Sequence, residues 1–194
     1  LLRACGETFG FNVQHIPPHI EGELTVSSTK VRQRLRDGDL SAAHALLGRR
    51  HAWRGEVVTG AGRGRTLGFR TANLEATEPH QILPAEGVYA AQVTLVTDGA
   101  SSHQGSASQQ TWGAMVNIGP RPTFDGTGAK PTVEAHLFTA ETPDLYDTEL
   151  EIAIAERMRD IQKFEDSPAL INQLSSDADQ ARRILRYDNS HDAR

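Results

Sequence analysis

The sequence predicts a mainly β protein: a small antiparallel barrel or sandwich with a C-terminal helix, preceded by a short helical segment. Three observations predict it. From Trp53 onward, short runs rich in Val, Thr, Ile and aromatic residues recur between Gly, Pro and Asn turn signals. No helix-length apolar period separates those runs, so a parallel α/β sheet with crossover helices is disfavoured. A long amphipathic pattern closes the chain, with Leu170, Leu174, Ala178, Ala181 and Leu185 on one face.

The elements follow in order. Residues 1–26 contain Pro17-Pro18 and little periodicity, and read as a closing strand and loop. Residues 27–48 read as two short helices. Ser27, Ser28 and Thr29 offer N-caps, and Gly38 and Gly48 suit left-handed C-terminal positions. The strand candidates are Trp53 to Thr59, Val88 to Val96, Thr111 to Ile118, Val133 to Phe138 and Glu149 to Ala155. Residues 98–110 (DGASSHQGSASQQ) are small and polar and read as a hairpin tip or insertion, with no chemistry assigned to His103. Ser167 is placed to cap the last helix, with Pro168 in its first turn.

Composition bounds the function. The 194 residues are 38% hydrophobic and 23% charged, enough for a folded core. The net charge of −5 argues against a protein that coats nucleic acid. No apolar run is long enough to span a bilayer and no secretory h-region opens the chain, so a cytoplasmic location is expected. The single cysteine, Cys5, excludes an internal disulfide and a Cys-based zinc cluster.

Four stretches can carry chemistry. Residues 60–74 read GAGRGRTLGFRTANL, with Gly60, Gly62 and Gly64 alternating with Arg63 and Arg65. Between residues 54 and 70 four arginines (Arg54, Arg63, Arg65, Arg70) face one acid, Glu56. Glycines let backbone N–H groups approach an anion and arginines supply charge, so the loop suits a polyanion such as a nucleotide. No Lys-Ser/Thr pair ends it, and the glycine spacing is not G-x-G-x-x-G. Walker A and dinucleotide-binding folds are thereby disfavoured. The plain alternative is a hairpin with solvated arginines.

Thr71 and Asn73, two apart, point to one side if the segment is extended. A hydroxyl and an amide oxygen are hard neutral ligands suited to Mg²⁺, and equally are common turn formers. Thr132 to Phe138 alternates, with Val133, Ala135 and Leu137 on one face and Glu134 and His136 on the other. Glu134 is either a solvated strand carboxylate or, if its face lines a cleft, a positioned proton acceptor. His136 reads as structural. After the last strand candidate, Arg159, Lys163 and Phe164 offer phosphate or stacking contacts, or ordinary loop charge and a core plug. Just before them, seven acids between Glu141 and Asp160 face two arginines, which reads as a solvated strand edge.

The order of these motifs resembles the riboflavin kinase module of the bacterial bifunctional riboflavin kinase/FMN adenylyltransferase family, from Arg49 to about Leu185. The resemblance rests on Gly62-x-x-Arg65-x-Leu67-Gly68-Phe69-x-Thr71-Ala72-Asn73 and Pro84-x-x-Gly87-Val88-Tyr89. It continues through Asn117-Ile-Gly-x-Arg-Pro-Thr-Phe124, Val133-Glu-Ala-His-Leu137, Asp144-Leu-Tyr146, and Arg159 followed by Phe164. It implies a Greek-key β-barrel that transfers the terminal phosphoryl group of ATP to the ribityl 5′-hydroxyl of riboflavin, giving FMN and ADP. It implies Thr71 and Asn73 as ligands of Mg²⁺ and nucleotide, Glu134 as catalytic base, and Gly60, Gly62, Arg63, Gly64 and Arg65 as a flap over the phosphates. Asn117 is expected at the ligand site, and Arg159 in a loop that closes over the flavin. A non-catalytic flavin- or nucleotide-binding barrel is the alternative.

Residues 1–49 resemble the end of the adenylyltransferase half, through Ser27-Ser-Thr-Lys-Val-Arg32 and Leu47-Gly-Arg49. The HIPPH of His15 and His19 is not the H-x-G-H-type motif of that half, so the adenylylation site is expected to be incomplete. The expected division is 1–49, 50–188 for barrel and helix, and 189–194 as a tail. The leucine start suggests a piece of a longer bifunctional protein. Two departures stand out: Arg70 where the family has proline, and Ile161 where it has an acid.

Overall fold

In the computed structural model, the structure describes residues 2–14, 17, 19–21, 24–60, 64, 67–97, 110–120, 131–139 and 143–186. Gly62, Arg63, Arg65, His15 and the polar stretch 98–109 lie outside the described residues.

The chain opens with helix α1 (Leu2–Phe9) and a two-residue hairpin, β1 (Ile20–Glu21) with β2 (Leu24–Thr25). The helix corrects the reading of residues 1–26 as strand and loop. Its eight residues carry few strong apolar signals, with Leu2 and Phe9 exposed. Helices α2 (Ser28–Arg36) and α3 (Leu40–Leu47) follow as expected. The Ser27 hydroxyl accepts from the Lys30 amide at 3.3 Å, and Asp39 caps α3 through the Ala42 amide at 3.1 Å. Gly38 (φ 75) and Gly48 (φ 68) make the left-handed exits.

Six strands then close into an all-antiparallel barrel. They are β3 (Ala52–Val58), β4 (Ala72–Ala76), β5 (Gly87–Leu95), β6 (Thr111–Pro120), β7 (Pro131–Leu137) and β8 (Glu149–Arg159). Around the barrel the order is β3-β4-β7-β6-β5-β8. Strands β5, β6 and β7 form a meander, and β8 returns beside β5, which is the Greek-key connection. Closure leaves the barrel no free edge, which corrects the reading of the acidic stretch as an edge. Glu149 and Glu151 instead lie on the outer surface, where the Arg54 guanidinium donates to Glu151 at 2.8 Å and the Thr77 hydroxyl to Glu149 at 2.9 Å.

Strand alternation divides the apolar residues into two clusters. Trp53, Val57, Leu74, Tyr89, Val116, Ile118, Val133, Ala135, Leu137 and Ile152 fill the barrel. Leu35, Leu40 and Ala43 of α2 and α3 belong to the same core, and the Ala85 amide donates to the Leu35 carbonyl at 2.9 Å. The two helices thus close one end of the barrel. The second cluster lies outside it, where α4 (Ser167–Leu185) packs Ala178 and Ala181 on Val88, Ala90 and Met115. The cap of α4 is Asp166, one residue before the expected Ser167. Its carboxylate accepts from the Ala169 amide at 2.8 Å, a stronger acceptor than a hydroxyl.

Candidate active site

Register builds the site. Asn73 on β4 stands directly opposite Glu134 on β7, and Glu134 opposite Asn117 on β6. Asn117 in turn faces Val88 on β5, and Val88 faces Arg159 on β8. Directly opposed residues share a face, with Cβ atoms about 4.5–5.5 Å apart across an antiparallel pair. Val133, Ala135 and Leu137 point into the barrel, so Glu134 points out, onto the surface that also carries α4. The carboxylate is therefore outside the core yet half-buried and flanked by two amides. The face of Val133, Ala135 and Leu137 is packed, and the face of Glu134 lies beside Asn73 and Asn117.

The loop from β3 to β4 brings Thr71 and Asn73 under glycine backbone. A Cβ on Gly60 would stand 2.7 Å from Asn73 Oδ1, and nearer still to Cγ and Nδ2. A Cβ on Gly64 would collide with the Phe69 carbonyl and lie 3.2 Å from Thr71 Oγ1. Only a residue without a side chain lets the loop close on these two groups. The Phe69 amide donates to the Gly64 carbonyl at 2.9 Å, which folds the loop back on itself. A hydroxyl and an amide oxygen beneath a glycine cradle fit a hard cation shared with phosphate oxygens. The described part of the loop supports that fit, while the expected contributions of Gly62, Arg63 and Arg65 fall outside it.

His136 holds the turn before Thr71. Its Nδ1 lies 2.8 Å from the Arg70 carbonyl, which only a protonated Nδ1 satisfies, so that nitrogen donates. Its ring contacts Phe69 and Phe138 at centroid distances of 5.2 and 5.9 Å. Burial pushes the His136 pKa down; the bond to the Arg70 carbonyl opposes this, and the charge of Arg182 adds to it. Arg182 itself lies over the Phe138 ring, 4.5 Å from its centroid. The structural reading of His136 holds, and it acts on residue 70, where the proline of the resembled pattern is absent.

Arg159 is the last residue of β8, not a loop residue, and its guanidinium grips Asp177 of α4. Sequence reasoning missed Asp177. The signal was present: an acid at position 177 falls on the apolar face defined by Leu174, Ala178 and Ala181, where it needs a partner.

Among the described residues no group of three or more His, Cys, Asp or Glu side chains is placed to hold a metal, and no helix is long and apolar enough to cross a membrane. A cation at Thr71 and Asn73 would thus depend on phosphate and water for its other ligands.

The flavokinase family model, described as riboflavin kinase, matches residues 47–185. The bifunctional riboflavin kinase/FMN adenylyltransferase of Escherichia coli strain K12 is 34% identical over 185 residues, covering 95% of this chain and 54% of the relative. That of Bacillus subtilis strain 168 is 30% identical, covering 86% of this chain and 48% of the relative. A crystal structure named macrolide-efflux protein, from Streptococcus pneumoniae, superposes with a TM-score of 0.75 at 32% identity. It covers 93% of this chain and 54% of that one. The chain therefore spans about half the length of the curated relatives it matches. The family match begins at the last residue of α3 and ends with the helix that packs on the barrel, taking in every described site residue: the chain belongs to the riboflavin kinase family.

Proposed function

We propose that this chain transfers the terminal phosphoryl group of ATP to the 5′-hydroxyl of riboflavin, releasing ADP and FMN. The observation that carries the reading is the register that sets Glu134 between Asn73 and Asn117 on one outward face. It orders the chemistry in space. Thr71 and Asn73, under the Gly60 and Gly64 backbone, would hold Mg²⁺ and the phosphates at one end. When bound, the cation supplies charge neutralisation across the phosphate oxygens. Glu134 stands at the next strand, accepts a hydrogen bond from the riboflavin hydroxyl and takes its proton as the new O–P bond forms and the bond to ADP breaks. Asn117, one strand further, offers an amide to the polyhydroxyl chain. Three strand spacings, about 14 Å along the sheet, lie between Glu134 and Arg159, room for the flavin to extend toward α4.

A barrel that binds without turnover is the rival, and Arg70 in place of the family's proline is the feature that favours it. The His136 bond to the Arg70 carbonyl fixes the turn that a proline would fix by its ring, and so weakens that rival. Residues 1–49 are read as the end of an adenylyltransferase domain, and the longer protein as one that also converts FMN to FAD. The HIPPH sequence is not the nucleotide-binding motif of that domain, so the adenylylation site within residues 1–49 is read as incomplete.

Incubation with riboflavin, ATP and Mg²⁺, followed by chromatography, tests the reading. FMN and ADP in equal amounts are expected. Flavin that binds but stays unphosphorylated would favour the binding module, and no binding of ADP or flavin would reject both.

A further inference from the structure

We propose that Arg159 is a positioning residue, clamped to Asp177 so that the segment between β8 and α4 forms a fixed wall at the acceptor end of the site. The proposal rests on the kinase reading for the identity of the acceptor, and on the geometry for the clamp.

Asp177 is 1% exposed and is the one charged residue buried to that degree among the described residues. Arg159 Nε donates to both its oxygens at 3.0 Å, and Nη2 donates to Oδ2 at 2.6 Å. Gln173 donates to Asp177 Oδ1 at 2.8 Å from one turn earlier on α4. The remaining face of the guanidinium is occupied too. Nη1 donates to the Asp160 carbonyl at 2.9 Å, and the guanidinium carbon lies 5.9 Å from the Phe164 ring centroid. The fork of Arg159 is thus spent within the protein: on the first residue of the segment from Asp160 to Asp166, on the Phe164 ring within it, and on Asp177 in the helix that follows it.

Desolvating two ions costs more than packing an apolar pair of similar volume, so stability alone is a weak reason for such a pair. A fixed register between strand end and helix is a better one. The segment it fixes borders the site. The Ile161 side chain reaches to 4.0 Å from where a Cβ on Gly119 would stand, and the Asn117 amide lies 3.6 Å from the same point. Ile161 is 40% exposed, an apolar surface beside the polar row. Moving the segment moves that wall and leaves Thr71 and Asn73, at β4, and the glycine loop, between β3 and β4, where they are.

The test uses the whole chain as wild type, Asp177→Asn and Arg159→Lys. Lys163 is exposed in the middle of the segment, so trypsin cleavage after it under native conditions reports the order of the wall without reference to activity. Cleavage of Asp177→Asn is expected to be several-fold faster. Its KM for riboflavin should rise about tenfold, the scale of a sub-ångström to ångström misplacement, with KM for ATP within about twofold of wild type. Arg159→Lys should fall between, because an ammonium keeps the charge but cannot span carboxylate, carbonyl and ring. Unchanged cleavage and unchanged riboflavin KM in both variants, even with a lowered Tm, would overturn the proposal, as would equal rises in both KM values. If Asp177→Asn does not fold, Arg159→Lys decides by the same readings. A wild type that makes no FMN refutes the kinase reading, while the cleavage rates still judge the clamp.

Discussion

Replacing Gly60 with alanine tests whether the glycine loop exists to let Asn73 work. The added Cβ would stand 2.7 Å from Asn73 Oδ1 and closer to Cγ and Nδ2. Ordinary contact needs about 3.5–4.0 Å, so the amide must move by about 1 Å or more, or the loop must lift by as much. Asn73 sits on a strand paired on both sides, at Val58 and at Glu134, so its backbone has little room to yield. A misplacement of about 1 Å at a positioned group costs on the order of 10²-fold in rate. Gly60→Ala should therefore lose about that much kcat/KM and need more Mg²⁺ for half-maximal turnover. The control is Gly55→Ala, whose Cβ would meet the Trp53 ring at 2.5 Å and the Glu75 carbonyl at 2.8 Å. That is overpacking remote from Asn73, expected to cost about 1–3 kcal/mol of stability and leave the Mg²⁺ dependence alone. The assay is FMN formation across a magnesium titration, with Tm measured in parallel. Wild-type turnover and an unshifted magnesium curve in Gly60→Ala would refute the reasoning.

Other outcomes follow from the packing. Leu35 is 2% exposed and lies in the barrel core although it belongs to α2, so Leu35→Ala should destabilise the barrel by about 2–5 kcal/mol, read by urea unfolding. His44 and His51 both have lowered pKa values, chiefly through burial. His51, with its bond to the Ile82 carbonyl opposing the shift, and nearby arginines add charge that disfavours protonation. The unfolded chain then binds more protons below about pH 6.5, so stability is full above that pH and falls as the solution is acidified. Tm should drop between pH 7.5 and 5.5, and His51→Gln should flatten part of that fall; a pH-independent Tm would contradict the assignment.

Much of this was legible in the sequence, for identifiable reasons. Alternation at Val133, Ala135 and Leu137 correctly gave Glu134 an outward face, because a packed barrel leaves one face of each strand outside. Capping residues placed α2 and α3, and the apolar face of the last helix placed α4. Strand β4 went unassigned: Ala72–Ala76 is five residues with an Asn and a Glu, and its strand character comes from pairing with β3 and β7. The end of β8 lies four residues beyond the strand candidate, since Arg159 reads as loop charge but ends a strand already paired to β5. The pairing of Asn73, Glu134 and Asn117 could not be read from order along the chain. It depends on which strands become neighbours, and β4 meets β7 across more than fifty intervening residues. The clamp on Asp177 was half legible: an acid on the apolar face of α4 calls for a partner, but the sequence does not say that Arg159 supplies it.

The central claim is that Glu134, held between two amides, takes the proton from the riboflavin hydroxyl. Its most direct test is the rate of FMN formation by Glu134→Gln against wild type, with riboflavin binding measured on the same samples. A general base is worth about 10²–10⁴-fold. The account predicts a loss of that size with flavin binding retained; undiminished turnover in the variant would contradict it.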